Sequence, residues 1–326
     1  MDEGDDPQLS TDRTASVCRE ILDEVSGAVI AADEFLETVL TGVLANQHVL
    51  IEDVPGTGKT LTARSLAGAL GLEFNRIQFT PDLLPADITG SNVYDEQLGS
   101  FEFYEGPIFA NVVLADEINR APPKTQAALL EAMEEKQISV SDQTRALPDP
   151  FFVIATQNPV EQEGTFALPE SQRDRFMIKT ELGYPDRTAE QELLDRRLDR
   201  RQSAPTVDRV VDPDVVRDLQ ERPEFVHVDP AVRDYVLDIG RATRTHEATE
   251  VGVSPRGIQR HLEAARARAV IQGREYVVPE DVKFLAEPVL AHRLVLRSSA
   301  LVEGLSREDV VAEVLRGIDV PVLEEI

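Results

Sequence analysis

The sequence is short of several residue types, and each shortage excludes a class of protein. It has one cysteine, Cys18, so no disulfide can form within the chain and nothing indicates an oxidising compartment. It has no run of about 18 apolar residues, which argues against a membrane span. Residues 1–13 are acidic, polar and unlike a secretory signal or transit peptide. We therefore expect a soluble, cytoplasmic protein with a flexible N-terminus.

Lysine is also scarce, and the balance of charge is strongly acidic. Only five of the 33 basic residues are lysines, against 60 acidic residues, and the formal net charge is −27. This composition resembles that of proteins from salt-in halophiles, where molar salt shortens the Debye length to about 3 Å and screens repulsion. An acidic surface for a basic partner is the alternative. Because the acidic residues are spread along the chain and no broad basic face is evident, we expect no nucleic-acid binding.

The 326-residue chain changes its pattern near residue 185. Before that point, short continuous apolar runs such as 49–51 and 112–115 alternate with stretches of helical spacing. Continuous apolar runs are typical of strands buried on both faces, so we predict an α/β core with a mostly parallel sheet. After that point the spacing is helical. The predicted divisions are an acidic flexible N-terminus (1–13), an α/β core (14–185) and a smaller helical domain (186–326).

A glycine-rich turn at residues 53–60 joins the first apolar run to a helix. Strand, glycine-rich loop and helix in this order are the setting of a phosphate-binding loop, which surrounds phosphates with backbone N–H groups. We expect Lys59 to reach the β- and γ-phosphates and the Thr60 hydroxyl to ligate Mg²⁺. Asp53 replaces the usual first glycine, and the alternative is a tight turn with an incidental lysine. The predicted nucleotide-binding residues are Pro55, Gly56, Thr57, Gly58, Lys59, Thr60 and Leu61.

Two later apolar runs end in polar side chains. Asp116 and Glu117 follow the first, and we expect Asp116 to hold Mg²⁺ and Glu117 to act as general base on the attacking water. Solvated acids at a strand end are the alternative, which the upstream phosphate loop disfavours. Asn158 follows the second run. Its amide could orient the same water, and capping of the turn before Pro159 explains it equally well.

Together these residues resemble the MoxR family of AAA+ ATPases over roughly residues 25–295. The most specific match is the extended Walker B segment, which reads GPIFANVVLADEINRAPPKTQAALLEAM over 106–133. An acid at the first glycine position of Walker A is familiar in that family, so the Asp53 departure is less surprising. The other matching segments are Walker A (52–60), sensor 1 (155–159), the arginine-finger segment (168–176), sensor 2 (254–256), and the stretches 273–276 and 279–282.

The resemblance implies an Mg²⁺-dependent ATPase with a P-loop AAA+ core followed by a small all-helical lid domain. Family members usually bind ATP between neighbours of a hexameric ring. Arg175 is therefore expected to act on the γ-phosphate of the next subunit, with Arg173 as the nearby alternative. An ion pair with Asp174 or Glu170 would explain either arginine without that role.

Arg256, in the sensor 2 match, has local support of its own. Ser254 and Pro255 suit the N-cap and first position of a helix, so Arg256 falls in a first turn. A cation is not favoured there by the helix dipole, and a phosphate partner explains it better than solvation. A salt bridge of the lid is the alternative. With Asn158, Arg256 is expected to complete the ATP site of its own chain.

The remaining expectations concern partners. A turn signal predicts a hairpin at about 91–109. The resemblance implies a second hairpin at about 138–150, and such hairpins contact substrates in some relatives. The alternative is that their aromatic residues pack on the core, which we favour slightly for Phe101 and Phe103. The resemblance also implies an adenine pocket near 29–32 and, because MoxR-like proteins often work beside von Willebrand factor A domains, remodelling or maturation of partner proteins. A nucleic-acid motor and a nucleotide-dependent switch with little turnover are the alternative functions.

Overall fold

The structure, a computed structural model, describes residues 9–97, 99–140, 143–159, 165–200 and 205–322. The helices are α1 (Thr11–Ala28), α2 (Asp33–Leu44), α3 (Lys59–Ala69), α4 (Pro85–Thr89), α5 (Pro123–Glu135), α6 (Glu170–Arg173), α7 (Arg187–Asp199), α8 (Pro213–Glu221), α9 (Pro230–Thr245), α10 (Pro255–Ile271), α11 (Pro279–Leu290), α12 (Ser298–Val302) and α13 (Arg307–Gly317). Short 3-10 helices cover Ile118–Arg120, Arg222–Phe225 and Ala291–Arg293. Within these ranges, none of the helices combines the length and apolar character that a membrane crossing requires.

The strands form one larger sheet and three small ones. They are β1 (Val49–Glu52), β2 (Phe74–Gln78), β3 (Gly90–Asp95), β4 (Ser100–Glu105), β5 (Val112–Asp116), β6 (Gln137–Val140), β7 (Gln143–Ala146), β8 (Phe152–Gln157), β9 (Ile178–Thr180), β10 (Thr249–Val251) and β11 (Val295–Leu296). Five of them make a sheet in the order β2-β5-β8-β1-β9, and every pairing in it is parallel. The predicted parallel sheet is confirmed.

The sheet is buried on both faces because its central strands are apolar along most of their length, up to the polar residues at their C-terminal ends. All of β5 and nearly all of β8 are buried. Ile51, Leu114 and Ile154 pack into a core shared with α1, α2, α3 and the C-terminal helices. Leu50 and Val113, which point the other way, pack into a second core with α4 and α5. Since the strands are parallel, their C-terminal ends share one edge, here called the carboxyl edge, and their N-terminal ends share the opposite amino edge.

The C-terminal part is helical, as predicted, with one addition. β10, which follows α9, and β11, which comes after α11, pair antiparallel into a two-stranded sheet. These strands have three and two residues, too few to show a period of two in the sequence. Helix α10 packs against α1 and α2 as well as α9 and α11. The division at residue 185 stays a prediction.

Both predicted hairpins are present. β3 pairs with β4 over Gly90–Asp95, and β6 pairs with β7. Phe103 packs against Phe109 with ring centroids 5.9 Å apart, and the Arg145 guanidinium lies 4.0 Å from the Phe103 ring centre. Phe101 is 71% exposed, so core packing describes Phe103 and is wrong for Phe101. Phe101 lies on β4, and its ring packs edge-on against the exposed Tyr94 ring with centroids 5.3 Å apart.

Candidate nucleotide-binding site

The glycine-rich turn lies at the carboxyl edge, directly after β1. Gly56 and Gly58 have φ angles of 90° and 109°, a region that favours glycine, and α3 begins at Lys59. The Lys59 Nζ donates to the carbonyls of Asp53 at 2.8 Å and Val54 at 2.6 Å. Burial lowers the Lys59 pKa, and the nearby carboxylates oppose that shift. The lysine is thus held over the loop where phosphates would bind.

Asp53, at the unusual first position of the loop, has a structural use. Its Oδ1 accepts the N–H of Val54 at 2.7 Å and its Oδ2 accepts the N–H of Gly183 at 2.9 Å. The residue is buried, at 7% exposure. Because Gly183 lies just after β9, the carboxylate fastens the start of the loop to the neighbouring strand's end, which a glycine could not do.

The two acids lie at the same edge, at the end of β5, which β8 separates from β1. Asp116 ends β5, and Glu117 follows in the left-handed region with φ 56°. The Thr156 hydroxyl donates to Asp116 Oδ1 at 2.5 Å and accepts the N–H of Glu117 at 2.9 Å. Thr156 belongs to β8, the strand between β5 and β1. A side chain that sequence reasoning had not singled out therefore holds both acids in register with the loop.

Strand β2 adds two further polar groups that sequence reasoning missed. The Arg76 guanidinium donates to Asp116 Oδ2 from Nε at 3.0 Å and from Nη2 at 2.5 Å. The Gln78 side-chain amide donates to Glu117 Oε2 at 2.8 Å, and the same oxygen accepts from Arg120 at 3.0 Å. Arg76 and Gln78 occupy alternate positions around the buried Ile77, which is the signal that both point to one face.

These groups line one cleft of about 460 Å³. Asn158, which is 8% exposed, contributes to its wall, and its backbone carbonyl accepts from the Asn119 amide at 3.5 Å. The structure therefore brings together the predicted phosphate loop, metal ligands, base and water-orienting amide. The lining residues are Pro55, Gly56, Gly58, Lys59, Thr60, Leu61, Arg76, Gln78, Asp116, Glu117, Thr156, Gln157 and Asn158.

A second, more apolar cavity of about 960 Å³ adjoins the first. Gly56, Gly58 and Leu61 line both cavities, so a nucleotide could place its phosphates in one and its base in the other. Val29 and Ile30 line the second cavity, within the predicted adenine pocket at 29–32. The residues present fit a magnesium nucleotide, because a hydroxyl, a carboxylate and a lysine converge on a loop of backbone donors.

Arg175 and Arg256 lie outside the cleft that contains Lys59, Asp116 and Glu117. Val49 pairs with Ile178, so Arg175, three residues before Ile178, lies at the amino edge, opposite the loop. Both guanidinium groups contact one carboxylate at the end of α5: Arg175 reaches Glu134 at 3.1 Å and Arg256 at 3.5 Å. This placement contradicts the expectation that Arg256 completes the site of its own chain. The physical reason is that α10 packs against α2 with its first turn beside residues 46–48, which lead into β1 at the amino edge.

The structure also bears on the alternative interpretation of Arg173 and Arg175, in which they form ion pairs with Asp174 or Glu170. Asp174 accepts from Arg293 at 2.8 Å, so neither it nor Glu170 is the ion-pair partner of Arg175. Arg173 is partly buried, and burial followed by the charge of Arg307 lowers its pKa. Arg173 and Arg175 therefore point to different surroundings, and Arg175 is the one beside Arg256.

Comparison with known proteins agrees with this geometry. Residues 48–178 match the family model described as ATPase family associated with various cellular activities (AAA), and residues 241–314 match the AAA lid domain. The chain is 46% identical over 283 residues to YeaC of Bacillus subtilis (strain 168), covering 87% of this chain and 88% of YeaC.

Two further similarities extend over most of the chain. It is 41% identical over 307 residues to Chaperone MoxR1 of Mycobacterium tuberculosis, covering 91% of this chain and 81% of that protein. A crystal structure of a Cytophaga hutchinsonii protein superposes with a TM-score of 0.89 at 38% identity, covering 96% of this chain and 97% of that one. The cleft, the lid and these relatives place the chain in the MoxR family of AAA+ ATPases.

Proposed function

We propose that the protein hydrolyses ATP, with Mg²⁺, in the cleft around Lys59. The observation that carries the proposal is the meeting of loop, lysine and two acids at one sheet edge within a single cleft. Lys59 donates to two loop carbonyls, and it can exchange them for phosphate oxygens without moving far. Thr60 and Asp116 would hold Mg²⁺, which neutralises developing charge on the phosphates.

Glu117 is the proposed general base. Its Oε2 accepts from Gln78 and Arg120, which leaves Oε1 to take a proton from a water in line with the γ-phosphate. Asn158 would orient that water from the opposite wall of the cleft. In this arrangement Gln78 and Arg120 set the direction of the base.

The rest of the site would come from a second copy of the chain. Arg175 lies at the amino edge, so it cannot reach a nucleotide at the carboxyl edge of its own sheet. Arg256 lies beside it on Glu134, and we assign both arginines to the γ-phosphate of a neighbour. A closed ring, which we propose is a hexamer, gives every cleft such a neighbour.

The proposed cellular role is remodelling or maturation of partner proteins in the cytoplasm. It is supported by the similarity to a protein named Chaperone MoxR1 and by the exposed aromatic side chains of the β3–β4 hairpin, Tyr94 and Phe101. A partner with a von Willebrand factor A domain is the candidate that the family resemblance implies. Halophilic conditions follow from the acidic composition.

Glu117→Gln tests the proposal. The amide keeps the size of the side chain but cannot accept the proton, so ATP should still bind while phosphate release falls about 10²–10⁴-fold. Phosphate release and binding of fluorescent ATP are measured in low and molar KCl. Glu105→Gln, on the exposed strand β4, is the matched control and should keep full turnover.

Other outcomes separate the other functions. Undiminished turnover in Glu117→Gln would remove Glu117 as the base. Tight ATP binding with no turnover by the wild-type protein would support a nucleotide-dependent switch, and stimulation by DNA or RNA would support a nucleic-acid motor. Proteins that co-purify with the Glu117→Gln form under ATP would identify the partner.

A further inference from the structure

Arg76 lies on β2, the strand at the edge of the sheet, and reaches the acidic end of β5. In the strand pairing Gln78 lies opposite Asp116, so the side chain of Arg76, two residues earlier, shares that face. Two of its N–H groups converge on Asp116 Oδ2, at 3.0 and 2.5 Å. The Asp116 side chain is 11% exposed and that of Arg76 is 47% exposed. A half-exposed guanidinium thus covers a nearly buried carboxylate.

The lysine of the cleft directs its hydrogen bonds elsewhere and acts on the two acids through its charge alone. Lys59 Nζ is directed to carbonyls of the loop, not to either acid. Among the described residues that line the cleft, Lys59 and Arg76 are the cations. Asp116 therefore has Arg76 as its counter-ion.

Both carboxylate oxygens of Asp116 are engaged. Oδ1 accepts from Thr156, which is a fixed part of the sheet, and Oδ2 accepts from Arg76. The same Arg76 Nη2 donates to Gln78 Oε1 at 2.6 Å, and Gln78 in turn donates to Glu117. Arg76 is thus linked to both acids, and Oδ2 can ligate a metal only after its hydrogen bonds from Arg76 have broken.

We propose that Arg76 is a positioning residue that acts as the exchangeable counter-ion of Asp116, holding the acids until a magnesium nucleotide enters the cleft. This inference rests on the proposed function. Without a metal, the guanidinium offsets the repulsion between the phosphates and the two carboxylates. With a metal bound, Arg76 is released from Oδ2 and its charge is no longer needed there. Arg76 therefore sets how strongly nucleotide binding depends on Mg²⁺.

Arg76→Gln tests this by binding, without turnover. The dissociation constant of a fluorescent ADP analogue is measured with Mg²⁺ and with EDTA, at one fixed salt concentration. Because the variant loses the positive charge that offsets repulsion between the phosphates and the two carboxylates, the EDTA value should rise about tenfold or more, while the Mg²⁺ value changes less than about threefold. Arg64→Gln, an exposed arginine on α3, removes the same charge and should change neither value.

The outcomes are separable. An unchanged ratio of the two constants in Arg76→Gln, or an equal weakening of both, would overturn the inference, because a merely structural residue weakens both alike. If the wild-type protein binds the analogue in neither condition, the proposed function fails and not the role of Arg76. If Arg76→Gln does not fold, Arg76→Lys keeps the charge with fewer donors, so the EDTA value should stay within about threefold of the wild-type value; a rise of about tenfold or more in Arg76→Lys would contradict the role as counter-ion.

Discussion

The nucleotide cleft and the arginine face lie at opposite edges of one sheet, and they differ in how their charges are satisfied. The arginine face consists of Arg175, Arg256 and Glu134. In the cleft, each acid has two side-chain partners: Asp116 has Arg76 and Thr156 from adjacent strands, and Glu117 has Gln78 from β2 and Arg120 from the following 3-10 helix. On the arginine face, one carboxylate that is 40% exposed serves two guanidinium groups. A single carboxylate cannot satisfy the ten or so N–H donors of two guanidinium groups.

The difference supports the proposal that each chain carries two parts of a site that it cannot assemble alone. β1 separates the edges by four residues, roughly 13 Å at the usual rise per residue, and the loop lies beyond it. In the proposed function the cleft holds an anion with its metal, and the arginine face offers cationic donors to an anion of another copy. The two regions would then meet across two copies of the chain.

The largest expected effect is at the cleft, from Lys59→Ala. Removal of the ammonium group takes away the charge that faces the β- and γ-phosphates, so nucleotide binding should be abolished. Titration of the purified protein with fluorescent ATP measures it. The arginine face should be untouched, so Lys59→Ala subunits should still activate neighbours in mixed assemblies.

Lys283→Ala, on α11 of the lid, is the matched control for that variant and should bind ATP as the wild-type protein does. If Lys59→Ala still bound ATP tightly, the assignment of residues 53–60 as the phosphate loop would be wrong.

The next effect is at the arginine face, from Arg175→Ala. The variant should bind nucleotide normally and lose about 10³-fold or more in turnover, since an arginine supplied to a γ-phosphate is worth that much in related reactions. Mixing Arg175→Ala with Glu117→Gln subunits should restore turnover, because the second variant offers an intact arginine to the first one's intact cleft. Steady-state phosphate release at varied mixing ratios measures this.

Arg233→Ala, an exposed lid arginine paired with Asp234, is the control for the loss of one positive charge. The absence of any rescue on mixing would count against action between copies. A loss of nucleotide binding by Arg175→Ala itself would place the residue in its own chain's cleft.

Much of the fold could be predicted from the sequence because its signals are local. Apolar runs such as 112–115 predict buried strands. Ser254 and Pro255 predict the start of α10, and Ser254 does cap that helix. Strands β10 and β11 could not be predicted, because two or three residues carry no period. Their pairing depends on the packing of α9 and α11, and the short sequences of β10 and β11 do not indicate that packing.

The site divides in the same way. The phosphate loop and the two acids can be predicted because each lies within one short sequence segment. The roles of Arg76 and Gln78 cannot, because they depend on β2 lying beside β5. The sequence order of the strands does not reveal that neighbour. The position of Arg256 depends on the packing of α10 against α2, a contact between residues far apart in the chain. Local chemistry was therefore predictable and the edge at which it acts was not.

The smallest effect is on stability, and it depends on pH. Buried histidines support the arginine face: His48 Nε2 donates to the Met133 carbonyl beside Glu134, and His261, on the same helix as Arg256, donates to the Val282 carbonyl. Burial lowers the pKa of each to about 4. No histidine is among the described residues that line the cleft.

The direction of the pH dependence of stability follows from these pKa values. Below an ordinary pKa of about 6.5 the unfolded chain takes up protons that the folded chain, with values about 4, does not, so stability is full above that range and is lost as the pH falls. The free energy of unfolding should drop by about 1.4 kcal/mol per pH unit for each such histidine. Urea unfolding between pH 5 and 7 measures the slope, and His48→Gln should reduce it by one histidine's share.

The exposed His227 provides the control, since His227→Gln should leave the slope unchanged. An equal slope in His48→Gln and wild type would show that His48 is not held neutral under Glu134. If the slope falls as expected while Mg²⁺-dependent nucleotide binding stays constant over the same pH range, the acid sensitivity belongs to the folding of the chain and not to the groups of the cleft. His48 also accepts the N–H of Val153 in β8, so the histidine that supports Met133 is at the same time part of the sheet that both edges share.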